Sequence, residues 1–416
     1  MKEVVFGMTI KFNYNEMLKA LHTVLVTTSD SNLDVTMKNI IFWVQGDKVI
    51  IVSNNIYATT FTDMNVSIKY SDNENPELER FLQIQVKPFF ETFKAFSNLK
   101  RTEVSGVEIE VEDKSLLLKI YETVKGSANE GSEGIVNLAK YRFTQIPIKA
   151  MQTNLIKTSL ATITNTEKYV IKTADLNYYF NAIVPMITAD KRVFGNVTVL
   201  KDKIYATPIY CAIVMDNKLA DKGFSDFTLR SNVVKFIKQL IDKETEIQFS
   251  KTQMSENVYM LVIESEDTKT IIQVGSLEDR FRIELIEGIF TNGIVVNKEY
   301  LYDVLRRLPQ TSSLINIDIT INEGKGSMLI VGETFTQSIP VELAKGSGTY
   351  LFSINTQNFK QILMQHWKEG NSIDNLFFYV EQTGNDSVGL VITDKTKEWY
   401  VKLPKLFRVA EYSMWK

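Results

Sequence analysis

Six times along this chain an alternating strand pattern runs directly into an amphipathic helix, and the six fall into two interleaved sets of three. In the first set Met8-Thr-Ile-Lys-Phe-Asn13 leads into Tyr14–Leu25, with Met17, Leu18, Leu21 and Leu25 on one helical face. Arg142-Phe-Thr-Gln-Ile-Pro-Ile148 leads into Lys149–Leu160, and Gly293-Ile-Val-Val-Asn297 into Lys298–Leu308. In the second set Phe81–Val86 leads into Lys87–Asn98, whose stripe is Phe89, Phe90, Phe93 and Phe96. Phe227–Arg230 leads into Ser231–Asp242, and Thr349–Asn355 into Thr356–Lys368, with Ser231 and Thr356 read as N-caps. Apolar residues at helical spacing mark the helices, and period-2 runs such as Ile315-Asn-Ile-Asp-Ile-Thr-Ile321 mark strands between them. Repetition on this scale predicts an α+β chain of three like domains, at 1–139, 140–289 and 290–416. Ile56-Tyr-Ala-Thr59 recurs as Ile204-Tyr-Ala-Thr207 between the two helices of its own unit, which supports duplication.

The length of 416 residues agrees with two to four domains. The chemical inventory is sparse. Cys211 is the only cysteine, which excludes an intramolecular disulfide framework and any multi-Cys metal site. His22 and His366 are the only histidines, each inside a predicted helix, so no His-rich metal centre forms, and neither metal nor cofactor is expected. Gly126-Ser-Ala-Asn-Glu-Gly131 has the glycine spacing of a phosphate-binding loop, but Ser132 stands where the lysine must be, so the segment reads as a surface loop. Lys325-Gly326-Ser327 reads as a hairpin turn. A carboxylate pair of the glycosidase kind is left unsupported by scattered acids. The start lacks the apolar run of a signal peptide and no stretch reaches the 18 or so residues of a membrane span, so a cytoplasmic location is expected.

Two short helices per unit cannot enclose a long antiparallel sheet, so they are expected on one face, with the other left to solvent or a partner. Off the apolar stripes stand Lys19, Lys87, Lys94, Lys149, Lys157, Lys235, Lys238, Lys298, Arg306, Arg307, Lys360 and Lys368, with Lys100 and Arg101 just beyond one helix. The whole chain has net charge −3, so the compensating acids belong to strands and loops. Lysine on a solvated helix face is common, and that plain reading stands beside a sharper one: the helices form a positive surface that attracts phosphate without reading bases.

On this arrangement, spanning essentially the whole chain, the sequence resembles the DNA polymerase sliding clamps of the three-domain bacterial type (the polymerase III β subunit) and their phage relatives. Trp399-Tyr-Val-Lys-Leu-Pro-Lys-Leu406 is similar to the family's closing strand, and Val296–Leu305 to one of its strand-into-helix segments. Tyr205-Ala-Thr-Pro-Ile-Tyr210 stands where bacterial clamps carry Ala-Thr-Asp-Gly-x-Arg-Leu. Here Pro208 and Ile209 replace Asp and Gly and the Arg is absent, which points to a divergent phage member. The resemblance implies a head-to-tail homodimeric ring with helices inside and strands outside. It implies no enzymatic activity, sequence-independent contact with double-stranded DNA through the cations above, and DNA polymerase and clamp loader as partners. It further implies a peptide pocket between the second and third domains, at Tyr205, Thr207, Ile209, Tyr210, Val401, Leu403, Pro404 and Leu406. Candidate closing edges are Val107–Tyr121 and Ile315–Glu342. The rival reading is a repeated β-rich phage structural protein of the tail or baseplate, and an unrecognised enzyme is the third.

Overall fold

The computed structural model describes residues 7–28, 38–55, 57–72, 75–97, 104, 106–125, 133–162, 167–188, 196–206, 212–242, 244–255, 258–275, 292–308, 314–357, 359–360, 363, 374–383, 387–393 and 399–404. The first repeat comprises β1 (Met8–Asn13), α1 (Tyr14–Thr27), β2 (Asn39–Gln45), β3 (Lys48–Asn54), β4 (Ala58–Met64), β5 (Val66–Tyr70), β6 (Arg80–Gln85), α2 (Val86–Ser97), β7 (Gly106–Val111), β8 (Ser115–Lys125) and β9 (Glu133–Thr144). A separate helix, α3 (Ala150–Thr162), follows. The second repeat comprises β10 (Tyr169–Lys172), α4 (Thr173–Thr188), β11 (Asn196–Val199), β12 (Lys203–Ala206), β13 (Ala212–Asp216), β14 (Phe227–Arg230), α5 (Ser231–Ile241), β15 (Glu246–Ser255), β16 (Val258–Glu264) and β17 (Thr268–Gly275). The third comprises β18 (Asn292–Asn297), α6 (Lys298–Arg307), β19 (Leu314–Asn322), β20 (Lys325–Val331), β21 (Thr336–Ile339), β22 (Val341–Lys345) and β23 (Gly348–Asn355). Helical turns at Thr356–Gln357, Phe359–Lys360 and Leu363 come next, then β24 (Asn375–Thr383), β25 (Ser387–Thr393) and β26 (Trp399–Pro404).

Strand registers confirm the repetition and correct its phase. The strand before the first helix pairs antiparallel with the strand after the second, as β1–β7, β10–β15 and β18–β24. The strand after the first helix pairs with the strand before the second, as β2–β6, β11–β14 and β19–β23. The second repeat therefore opens at β10 and α4. The expected opening at Arg142–Leu160 fails because β9 is bound to β8 as the last strand of the first repeat, and α3 has no counterpart among the described elements. The tetrapeptide echo also fails as a sign of duplication. Tyr57 precedes β4, whereas Ile204, Tyr205 and Ala206 lie in β12, whose counterpart is β3. Thr356 is no N-cap, since its buried hydroxyl has no partner. Asn13 and Asn297, each the last residue of its strand, cap α1 and α6 by accepting from amides of the first turn. Neither β7 nor the whole of Val107–Tyr121 is a free edge, because β7 lies between β1 and β8, and β8 between β7 and β9.

Contacts divide the chain into two bodies, one of Met1–Thr173 with Gln239–Val274, the other of Ala174–Lys238 with Gly275–Lys416. In the first body, Ile10, Phe42, Ile51, Ile84, Leu118 and their neighbours form a core shared by the sheets of the first repeat and by α1 and α2. Tyr14 of α1 donates to the Phe93 carbonyl of α2 at 2.6 Å, and the two rings stack at 5.7 Å. The opposite face of the β2/β3/β4/β6 sheet is apolar too, and α3 covers it. Ile156 packs there with Ile41, Trp43, Ile50, Val52 and Phe61, and Val262 and Ile271 of the second repeat join them. The expectation of helices on one face only is thus corrected for this sheet. Its cause is legible in Ile40-Ile-Phe-Trp-Val44, a run apolar on both faces that needs cover on both.

In the second body, Tyr179 of α4 donates to the Asp216 carbonyl and accepts from the Lys218 amide, both at 2.9 Å. Tyr302 of α6 donates to the Leu363 carbonyl, tying together the two helical segments of the third repeat. Each body also contains a seam between repeats, β4 with β17 in the first and β13 with β26 in the second.

Candidate nucleic-acid interface

The cations of the first repeat sit as the helical period predicts. Packing of Val86, Phe89 and Phe93 into the core turns Lys87 and Lys94 of α2 outward to solvent. Lys19 of α1 is exposed, and its ammonium lies 3.6 Å from the Asp267 carboxylate in the turn between β16 and β17. Lys19 and His22 border a cavity of about 290 Å³ between α1 and the end of α5, whose remaining wall includes Ile263, Asp267 and Thr270.

The second repeat departs from expectation. Lys149 precedes α3 and Lys157 lies on it, so both belong to the far side of the sheet from α1 and α2. Lys157 is paired with Glu79 and its ammonium stands 5.7 Å from the Phe81 ring centre. The helix that takes α1's place, α4, reads Thr-Ala-Asp-Leu-Asn-Tyr-Tyr-Phe-Asn-Ala-Ile-Val-Pro-Met-Ile-Thr and carries no cation. Its exposed side shows Asp175, Tyr178 and Asn181. A sequence signal for it exists: Tyr169-Val-Ile-Lys172 alternates, and Leu176, Tyr179, Phe180 and Ile183 recur at helical spacing. Lys235 and Lys238 of α5 are half-buried, and Lys238 is engaged.

In the third repeat Arg306 and Arg307 are exposed at the end of α6, Arg306 3.2 Å from Asp303. Lys298 does not join them. Its amide donates to the Asp374 carbonyl at 2.8 Å, which holds it at the corner between β18 and β24, and its side chain is 2% exposed and engaged. Lys360 donates to the Leu308 carbonyl at 3.1 Å and so closes the C-terminal end of α6. Lys100, Arg101 and Lys368 lie outside the described residues, as does the Gly126–Gly131 loop. Acids do cluster on a strand, as charge balance requires. Glu108 and Glu110 of β7 pair with Lys119, and Glu108 also lies 3.2 Å from Lys11. Burial pushes the Glu108 carboxyl up, but the bonds from Lys11 and Lys119 together outweigh it and hold it below the usual range.

Of the expected peptide pocket, Thr207, Ile209, Tyr210 and Leu406 lie outside the described residues. Backbone register places the rest. Tyr205 pairs with Val214, and Val214 with Tyr400, across β12, β13 and β26. Ala206 pairs with Ile213, Ile213 with Val401, and Leu390 with Leu403. The strand between them is buried on both faces, at Ile213 and at Val214. Pro404, the partner of Gly389, ends β26.

No family model and no curated relative matches the chain. Solved structures do. The DNA polymerase sliding clamp from Bacillus subtilis is 11% identical with a TM-score of 0.68, covering 97% of this chain and 100% of the other. A C. crescentus β sliding clamp is 10% identical with a TM-score of 0.68, at 96% and 100% coverage. A putative DNA polymerase III β subunit from Eubacterium rectale is 13% identical with a TM-score of 0.67, again at 96% and 100%. Three repeats joined by sheet seams, matched end to end by these structures, give the chain the sliding-clamp fold.

Proposed function

We propose that the chain is a DNA sliding clamp, a non-enzymatic ring of two copies that encircles duplex DNA and tethers the replicative polymerase. The observation that carries this reading is the series of seams. The first repeat offers β4 to β17, the last strand of the second, and the second offers β13 to β26, the last strand of the third. The next members of the series are β21 and β9. Among the described strands each stands at the edge of its sheet, β21 beside β20 and β9 beside β8. One leftover edge of each kind is what two chains need to close head to tail, and unpaired edges otherwise invite aggregation. The exposed cations of α1, α2 and α6 suit phosphate contact that fixes no register. The rival structural-protein reading leaves those cations without a use.

Native mass measurement should give about 95 kDa, twice the 47.6 kDa chain. Single cysteines placed along β9 and β21 in a Cys211→Ser background should crosslink β9 to β21 between chains. A β9-to-β9 product would mean an isologous dimer and sink the ring. Loaded on a circular plasmid, the protein should stay bound until the plasmid is cut. For the polymerase and loader, an apolar docking peptide between the second and third repeats remains the proposed contact. Leu403→Asp on β26 should therefore weaken polymerase binding while the dimer persists, and unchanged affinity would place the contact elsewhere.

A further inference from the structure

The cavity between α1 and the end of α5 has no part in the clamp reading. Every residue that borders it belongs to the first body. Its volume of about 290 Å³ lies at the lower end of the space that small-molecule sites occupy, roughly 300–1,000 Å³. Its wall combines an apolar part, an excess of acid and one hydroxyl with a proton to give.

The apolar part is made by Ile241, Ile247 and Ile263, all buried, with the half-buried Val26 of α1. Among the charged groups, Lys19 lies beside Asp267, so those two offset each other. Glu244 and Glu266 also border the cavity, and among the described residues neither is paired with a cation. The surplus charge on the wall is therefore negative, which favours a cationic ligand and repels a carboxylate or a phosphate.

The hydroxyl belongs to Thr270, which is 1% exposed. It stands at the end of a buried chain, 3.1 Å from the Thr60 hydroxyl, which in turn lies 2.6 Å from that of Thr27. Three hydroxyls bring three protons and the two contacts use two, so one proton is left over. Either contact can run in either direction. Turning both toward Thr270 moves the spare proton there without shifting a heavy atom, and of the three only Thr270 borders the cavity.

We propose that the cavity binds a small amphipathic amine. Glu244 and Glu266 hold its ammonium, Ile241, Ile247 and Ile263 pack against its apolar body, and an oxygen at its far end accepts from Thr270. The site lies within one chain and does not depend on ring closure or on DNA.

The test titrates the full chain with tyramine in a calorimeter at about pH 8, where histidine, and so His22 beside the cavity, is neutral. Tyramine carries an apolar ring between a phenol oxygen and an ammonium, and it should bind saturably at one site per chain. The matching acid, 4-hydroxyphenylacetate, should bind at least tenfold more weakly. Phenethylamine, which lacks the oxygen, should bind about threefold to tenfold more weakly than tyramine, the worth of one hydrogen bond. Thr270→Val should bring tyramine down to the level of phenethylamine and leave phenethylamine unchanged, which also shows that the cavity survives the substitution. Glu244→Gln with Glu266→Gln should weaken both amines alike and narrow their lead over the acid. No saturable binding of tyramine, no preference over the acid, or indifference to the glutamine pair would each overturn the proposal. So would a Thr270→Val chain that still favours tyramine over phenethylamine by the original margin.

Discussion

Lys94 stands in the last turn of α2 with its ammonium in solvent, while Lys298 opens α6 with its side chain buried and engaged. Both fall off an apolar stripe, so helical periodicity alone gives them the same role. What separates them is the corner between β18 and β24, a tertiary contact made through the Asp374 carbonyl 76 residues along the chain. Replacing Lys87 and Lys94 together with Glu should leave the urea midpoint nearly unchanged, since exposed substitutions usually cost no more than about 0.5 kcal/mol. The same pair should shorten retention on circular DNA. Lys298→Glu should do the reverse, destabilising the third repeat by about 3–5 kcal/mol, as expected for an engaged buried charge turned against its surroundings. Equal loss of stability in the two variants would show that burial does not divide these residues.

At the scale of elements, the stripes of α1, α2, α5 and α6 were legible because each buries one narrow face, as Val233, Val234 and Ile237 do in α5. The role of α3 was not. Its residues carry a helical pattern, but only the pairing of β9 with β8 and of β10 with β15 reveals that it stands between repeats. Continuous apolar runs in β2 and β3 signalled a two-sided burial that alternation-based reading passes over. The ion pair of Lys157 with Glu79 fastens α3 to the start of β6, and the hydrogen bond from Lys157 is the main cause that holds the Glu79 carboxyl below its ordinary value. A depressed carboxylate stabilises above its unfolded value and loses that contribution as pH falls through its folded one. Acid below the usual glutamate range should therefore loosen α3 before the core melts, seen as averaging of the Ile156 methyl resonance. Glu79→Gln should show the same loosening at neutral pH, by no more than about 1 kcal/mol for so exposed a pair.

Across the whole molecule the two seams differ in chemistry. Along β4 and β17, Thr60 shares hydroxyl contacts with Thr27 at 2.6 Å and Thr270 at 3.1 Å, all buried. The seam of β13 and β26 instead aligns Ile213 with Val401 and Val214 with Tyr400. Thr60→Val should strand two hydroxyls and cost about 1–3 kcal/mol. Calorimetry should show the first seam failing earlier, while the isosteric Val214→Thr should weaken the second. The sliding-clamp fold itself was readable from repetition, whereas the neutral side of α4 was not, because its strand and helix were passed over for the stronger pattern at Arg142–Leu160.

The neutral surface of α4 sets it apart from α1, whose place it takes in the second repeat. Toward solvent α1 shows Lys19, whereas α4 shows Asp175, Tyr178 and Asn181. A polyanion held by both repeats would therefore lean on one and only brush the other. Added salt would loosen the grip of the first and leave the second as it was, so the two ends of such a contact would not let go together.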